Sequence, residues 1–166
     1  MNFRPALDSD ASAIAAIYTH YILTTTISFE ESAVDSEEIV RRMAAVQAAG
    51  LPYLVAEEEG TVVGYAYATP WRARPAYRTS VETSVYVRAG MGGRGAGTML
   101  YRLLLAQLRD SGYHMAIGGI AQPNAASVAL HEKLGFRKVA HFSEVGRKFG
   151  RWIDVAYWEL RLGEAA

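Results

Sequence analysis

Between two ordered-looking stretches the chain runs Gly90-Met91-Gly92-Gly93-Arg94-Gly95-Ala96-Gly97, five glycines in eight residues. A strand-like segment precedes this turn and a helix-like segment follows it. Backbone N–H groups at a helix start have no intrahelical partner and carry the positive end of the dipole, so such a turn suits a phosphate or pyrophosphate. Glycine allows positive φ and a close backbone approach to the anion. The bland alternative is a tight turn that binds nothing. Positions 90–95 also fit the dinucleotide spacing G-x-G-x-x-G, which calls for an acid about 20 residues further on to hold the ribose. Position 115 is Met, and 117–122 hold no Asp or Glu. The turn follows an antiparallel hairpin instead of opening a repeated βαβ half, which argues against a nicotinamide enzyme.

Four other groups have chemistry to offer. Glu82 is the only acid between Gly60 and Asp110, within the strand that leads to the turn. A lone strand carboxylate is usually a solvated one. His131 lies on a short helix, where an imidazole can give or take a proton or simply fill space. Asn124 opens that helix, as a cap, as a ligand contact or as both. Arg72 and Arg74 share a loop with Trp71 and Tyr77. Guanidinium groups grip carboxylate or phosphinate oxygens two at a time. A solvated basic loop is the plainer reading, and the flanking aromatics favour a pocket wall. Tyr65, Tyr67 and Tyr86 recur with strand parity and read first as core, second as pocket.

The elements needed to place these groups can be read in order. Asn2 to Arg4 form a short strand, and Ser9 and Asp10 look like cap residues for a helix with Ile14, Ile17, Tyr18, Tyr21 and Ile22 on one stripe. Ser36, Glu37 and Glu38 open a second helix that ends near Gly50 and Pro52. Strands at 53–56 and 62–68 are hinged by Glu59-Gly60-Thr61. A strand at 80–87 leads to the glycine turn and to a helix with Leu100, Leu103, Leu104 and Leu108. A strand at 114–120, a helix at 124–134 closed by Gly135, and strands at 136–141 and 152–162 complete the chain. The order is strand, two helices, three strands, helix, strand, helix, two strands. It describes one mixed α/β sheet with helices on both faces around a single strand–turn–helix–strand unit.

Bulk composition excludes several classes. The chain has 166 residues, Lys plus Arg and Asp plus Glu are 17 each, and there is no cysteine. A balanced charge gives no pull toward nucleic acid. Lack of cysteine removes disulfides, thiol catalysis and thiolate metal sites. The first residues lack a signal-peptide core, and no run reaches the roughly 20 apolar residues of a membrane span. A cytoplasmic protein of one domain, 1–166, is the expectation.

Three segments together resemble the GCN5-related N-acetyltransferases (GNAT): Arg94-Gly95-Ala96-Gly97-Thr98-Met99-Leu100, Asn124-Ala125-Ala126-Ser127 and Leu130-His131-Glu132-Lys133-Leu134-Gly135-Phe136. The phosphinothricin acetyltransferase branch is matched more narrowly. Its pieces here are Thr26-Ile27-Ser28-Phe29-Glu30, Val63-Gly64-Tyr65-Ala66-Tyr67, Pro70-Trp71-Arg72-Ala73-Arg74-Pro75-Ala76-Tyr77, Thr79-Ser80-Val81-Glu82-Thr83-Ser84-Val85-Tyr86-Val87 and Gly146-Arg147-Lys148-Phe149-Gly150-Arg151-Trp152-Ile153-Asp154-Val155. The resemblance covers nearly the whole chain.

It implies the GNAT fold, a mostly antiparallel sheet with one parallel CoA-binding β-α-β unit. It implies acetyl-CoA as co-substrate with no metal, held by Val85, Tyr86, Val87, Gly93, Arg94, Gly95, Ala96, Gly97, Thr98, Asn124 and Ser127. Glu82 and His131 are the implied catalytic residues, Glu82 beside the substrate amine and His131 where many relatives carry a thiolate-protonating tyrosine. A local break in the strand carrying Val85, Tyr86 and Val87 would free an N–H as oxyanion donor. Phe29, Arg72, Ala73, Arg74, Tyr77, Glu82, Thr83 and Ser84 are the implied substrate contacts. The implied substrate is a small amino-acid-like molecule of the phosphinothricin, methionine sulfoximine or methionine sulfone type. Other amines, or a non-catalytic acyl-CoA sensor, are the alternatives. The implied assembly is a homodimer, for which the apolar strand at 152–162 offers surface. One departure stands out: Gly92 occupies the place of the family's Gln or Arg, leaving Arg88 or Arg94 to compensate.

Overall fold

A computed structural model describes residues 1–163. Seven strands, β1 (Asn2–Pro5), β2 (Tyr53–Glu58), β3 (Thr61–Pro70), β4 (Ser80–Val87), β5 (Met115–Ala121), β6 (Arg137–Lys148) and β7 (Arg151–Arg161), form one sheet in the order β1-β2-β3-β4-β5-β7-β6. Four helices, α1 (Ala11–Thr24), α2 (Ser36–Ala48), α3 (Ala96–Asp110) and α4 (Ala125–Lys133), alternate with them in the expected sequence. Every strand pair is antiparallel except β4–β5, which α3 connects as a parallel crossover.

Side-chain alternation divides the faces. Tyr65, Tyr67 and Tyr86 point to the α1–α2 side, where Tyr18 of α1 meets Tyr86 edge-on at 5.1 Å. Gly64, one residue out of phase, faces α3 so closely that a Cβ there would lie 3.2 Å from Leu100 Cδ1. The apolar stripe of α3 (Leu100, Leu104, Leu108) is fully buried, each side chain adding roughly 1.5–3 kcal/mol through burial. On α1, Ile14, Ile17, Tyr18 and Ile22 are buried as their spacing requires.

α2 opens at Ser36 as expected, capped by Asp35, whose Oδ1 accepts from Glu38 N–H at 2.9 Å. Two local expectations change. Asp10 does not cap α1 with its side chain; its carboxylate accepts from Leu7 N–H and from both terminal nitrogens of Arg4, at 2.7–2.9 Å. Strand β6 runs on to Lys148, beyond a register shift between Phe142 and Gly146 where Glu144 takes a positive φ of 53°. It then turns into β7 through Phe149 and Gly150, both at positive φ as a two-residue hairpin favours.

Candidate active site

The parallel ladder is short. Only Ser80↔Met115, Val81↔Ala116 and Glu82↔Ile117 pair, whereas β3–β4 pairing extends unbroken to Gly64↔Val87. Beyond Glu82 the two strands part and open a cleft. Ser80 C=O accepts from Trp71 N–H and Arg88 N–H donates to Val63 C=O, so even-numbered β4 residues bond toward β3. By alternation Val85 and Val87 direct their backbone groups into the cleft. Val87 C=O takes the Tyr21 hydroxyl. Val85 N–H and C=O are left without a strand partner. The freed donor expected in this strand therefore arises from the splay of β5 away from β4; β4 itself has no break.

At the far end of β4 stands the start of α3. Gly95 is its N-cap at φ 86°, and the first helical bond is Met99 N–H to Gly95 C=O at 3.0 Å. The N–H groups of Ala96, Gly97 and Thr98 precede that bond, with no side-chain cap and no acid in the first turn. The two glycines serve different ends. Gly95 needs its backbone conformation, while a Cβ on Gly97 would sit 3.3 Å from Val87 Cγ2, so Gly97 lets α3 approach β4. Asn124 caps α4, its Oδ1 accepting from Ser127 N–H at 3.1 Å.

Two cavities meet in the cleft. The smaller, about 60 Å³, is walled by Thr83, Ser84, Val85, Tyr86, Asn124, Ser127 and His131 among others. The larger, about 410 Å³, is walled by Phe29, Glu82, Phe142, Val145, Val155 and Tyr157. Ile27, Gly119 and Ala121 belong to both. Glu82 thus faces a pocket instead of bulk water. Burial lifts its carboxyl above the ordinary glutamate range, opposed in part by the Arg72 guanidinium.

His131 lies beneath the fork, 4 % exposed. Its Nδ1 is 2.7 Å from Ser127 C=O, which can only accept, so that nitrogen carries the proton. Nε2 then accepts from the Tyr101 hydroxyl at 2.9 Å, and Tyr101 oxygen lies 2.6 Å from Thr83 Oγ1. Burial pushes the imidazole below its usual range and keeps it neutral. Gly118 makes room, since a Cβ there would come within 2.6 Å of Nε2. Tyr101 escaped the sequence reading; the available signal was a hydroxyl on the α3 stripe, one residue after Leu100.

The arginine loop is only partly gathered in. Arg72 stacks on Trp71 at 4.8 Å, and Trp71 meets Tyr157 of the larger cavity edge-on at 5.8 Å. Arg72, Ala73, Arg74 and Tyr77 are all exposed and line neither cavity; only Arg72, beside Trp71, comes near enough to act on the Glu82 carboxyl. The aromatic wall expected from Tyr77 is supplied by Tyr157. Phe29 is a wall residue as expected and packs against Gly146, where any side chain would collide with its ring. Its loop is tied down by buried Lys148, which donates to Ile22 C=O at 2.7 Å and Ser28 C=O at 2.6 Å.

Comparison with known proteins accords with this geometry. The acetyltransferase (GNAT) domain matches residues 4–157. The chain is 44 % identical over 163 residues to a phosphinothricin N-acetyltransferase of Streptomyces coelicolor, covering 96 % of this chain and 95 % of that one. It is 40 % identical to an L-methionine sulfoximine/L-methionine sulfone acetyltransferase of Salmonella typhimurium, covering 100 % and 97 %. The chain belongs to the GNAT acetyltransferase family. A Salmonella typhimurium acetyltransferase solved with its cofactor acetyl-CoA superposes with a TM-score of 0.97 at 40 % identity, covering 100 % and 96 %.

Within this family the chain is an acetyltransferase, and its glycine turn presents backbone groups with little side-chain support. Gly92 contributes no side chain, and neither candidate arginine replaces one. Arg88 donates to Val62 C=O at 2.9 Å, and Arg94 pairs with Glu58 at 2.9 Å. Among the described residues no three of His, Asp and Glu gather as a metal site would, and no helix is long and apolar enough to cross a membrane.

Proposed function

We propose that the chain transfers the acetyl group of acetyl-CoA directly to the α-amino group of a small amino-acid-like substrate of the phosphinothricin, methionine sulfoximine or methionine sulfone type. The observation that carries this reading is the position of Glu82, a carboxylate with a raised pKa where the fork meets a pocket of amino-acid size. The names of the relatives at 40–44 % identity supply the substrate class.

The geometry of the cleft supports the following assignment of roles. Free N–H groups of Ala96, Gly97 and Thr98, with the turn from Gly93 through Arg94 and Gly95, receive the pyrophosphate. Val85, Tyr86 and Val87 run beside the pantetheine, with Asn124 and Ser127 across the cleft. Glu82 takes a proton from the substrate ammonium, and the freed amine attacks the thioester carbonyl carbon. Val85 N–H stabilises the oxygen that becomes negative. As the C–S bond breaks, the sulfur needs a proton. That proton comes from the attacking nitrogen, which has a second one to lose in the tetrahedral intermediate; the Thr83 hydroxyl relays it to the sulfur, and neutral His131 acts by holding Tyr101, and through it Thr83, in place. Arg72 and Arg74 reach in from the exposed loop to hold the anionic end of the substrate at the mouth, with Phe29, Tyr157, Thr83 and Ser84 shaping its surroundings while Ala73 and Tyr77 stay on the outer loop.

We further assign the protein to the cytoplasm, where acetyl-CoA and amino acids are at hand, with no nucleic-acid or membrane partner and no metal. A homodimer is the proposed assembly. Its surface is not the whole of β7, where Ile153, Ala156 and Trp158 are buried, but the β6–β7 hairpin that exposes Phe142, Val145, Phe149 and Trp152.

The test is CoA thiol release, ranked by kcat/KM, across amino acids and their sulfone, sulfoximine and phosphinate analogues, with a polyamine and an aminoglycoside alongside. Preference for the tetrahedral-centred amino acids supports the reading. Turnover confined to polycations, or none with any amine, defeats it. Arg72→Ala and Arg74→Ala should each cost about ten- to a hundredfold with the acid, and less with its uncharged amide.

A further inference from the structure

A third cavity, about 260 Å³, lies outside the fork, between α2 and the α1–α2 face of β2 and β3. Neither Glu82, His131 nor the glycine turn borders it. Its floor is a ladder of tyrosines. Tyr53 and Tyr67, paired across β2–β3, stack at 4.9 Å with their planes 9° apart, and Tyr65 continues the stack 6.2 Å from Tyr67 and 6.0 Å from Tyr53. Ile39, Val46 and Pro70 give apolar walls.

Two features make this more than a packing gap. Tyr53 and Tyr65 are 6 % and 2 % exposed and neither hydroxyl makes a hydrogen bond among the described residues, yet neither is sealed off, so both are open to a partner that enters the cavity. Both border the open space, and burial raises both phenols' pKa, so they remain donors. The rim is also electrically closed. Arg41 donates to Glu38, and Arg42 donates to Glu30 and Glu38, so two guanidinium groups face two carboxylates. No net charge remains to draw an ion.

We propose that this cavity is a second ligand site, for a neutral, flat, mostly apolar molecule bearing a hydroxyl or carbonyl oxygen that meets the Tyr53 and Tyr65 hydroxyls. A cavity of about 150 Å³ admits benzene, so this one takes two fused rings. The site is joined to the substrate pocket through one loop. Tyr18, a wall of the cavity, bonds Ser28 and Glu30, and Arg42 clamps Glu30 at 2.7–2.8 Å. Ile27 and Phe29 of that same loop wall the Glu82 cavity. An occupant that shifts Arg42 or Tyr18 therefore changes the pocket that receives the amine.

The experiment titrates 2-naphthol into the uniformly ¹⁵N- and methyl-labelled protein, with 2-naphthoate as the charged comparison. Saturable one-site binding with shifts at Ile39 and Val46, at least tenfold tighter for naphthol than for naphthoate, is the expected result. Tyr53→Phe, which keeps the ring and removes the hydroxyl, should weaken binding about two- to tenfold. Ala45→Trp should block the site, with CoA affinity unchanged in both variants. No saturation to the solubility limit, shifts confined to Phe29 and Tyr157, or binding equal in Tyr53→Phe and the parent overturns the proposal. Should Ala45→Trp melt early, Tyr53→Phe and the naphthoate comparison still decide. None of these readouts depends on the amine being acetylated, so failure here is separable from failure of the proposed activity.

Discussion

A base that works near neutral pH has to hold its proton more tightly than an exposed glutamate does, and burial shifts Glu82, the proposed base, in that direction. Only the carboxylate form can accept the ammonium proton. Turnover should therefore rise as pH climbs through the raised Glu82 pKa and level off above it. Glu82→Gln should lower kcat by about a hundredfold or more, abolish that acid limb and leave CoA affinity unchanged in calorimetry. A variant with the parental pH profile would remove Glu82 from the mechanism. Tyr101 belongs to the same scale. Tyr101→Phe keeps the ring that packs on His131 and Phe136 but cuts the link between Thr83 and Nε2. It should reduce kcat about tenfold or more with little change in either KM. It should also free Nε2, so the imidazole, titrated by NMR, should change its pKa. An unchanged kcat would leave His131 as a core residue only.

Elements hold these residues in register, and their legibility from sequence varied with how local the cause was. The stripes of α1 and α3 and the glycine turn were plain, because period and turn chemistry act within a few residues. Strand β6 was cut short at His141 because a bulge with Glu144 at positive φ breaks the alternation that marks a strand. The fork was invisible. It depends on where a ladder between strands some thirty residues apart stops, and no local pattern encodes that. The Thr83–Tyr101–His131 chain was hidden for the same reason: the sequence offered His131 as a possible proton carrier, but nothing local tied it to Tyr101 or Thr83. Gly97 ties the turn to the fork, and a branched side chain there would push α3 off Val87 and Val85. Gly97→Val should weaken acetyl-CoA binding at least tenfold in a protein that still melts cooperatively. Parental affinity would place the pyrophosphate elsewhere.

At the scale of the whole molecule, the apolar side chains left outside the core decide what the chain does next. Phe142, Val145, Phe149 and Trp152 are 51, 60, 56 and 60 % exposed, and all lie on the β6–β7 hairpin at the sheet's open edge. An exposed apolar patch on an edge strand is a liability unless something covers it. Phe142 and Val145 are also walls of the Glu82 cavity, so whatever covers the hairpin narrows the mouth through which the amine enters. A second copy of the chain, as proposed above, would do both. Light scattering at micromolar concentration should then give twice the monomer mass. Trp152→Glu, far from Glu82 along β7, should shift the protein toward monomer. KM for the amine should rise with that shift, while CoA affinity stays the same, because Trp152 does not line the small cavity beside β4. The variant's activity should recover as concentration drives it back to dimer. A monomeric Trp152→Glu with parental KM would mean that the cavity is complete within one chain.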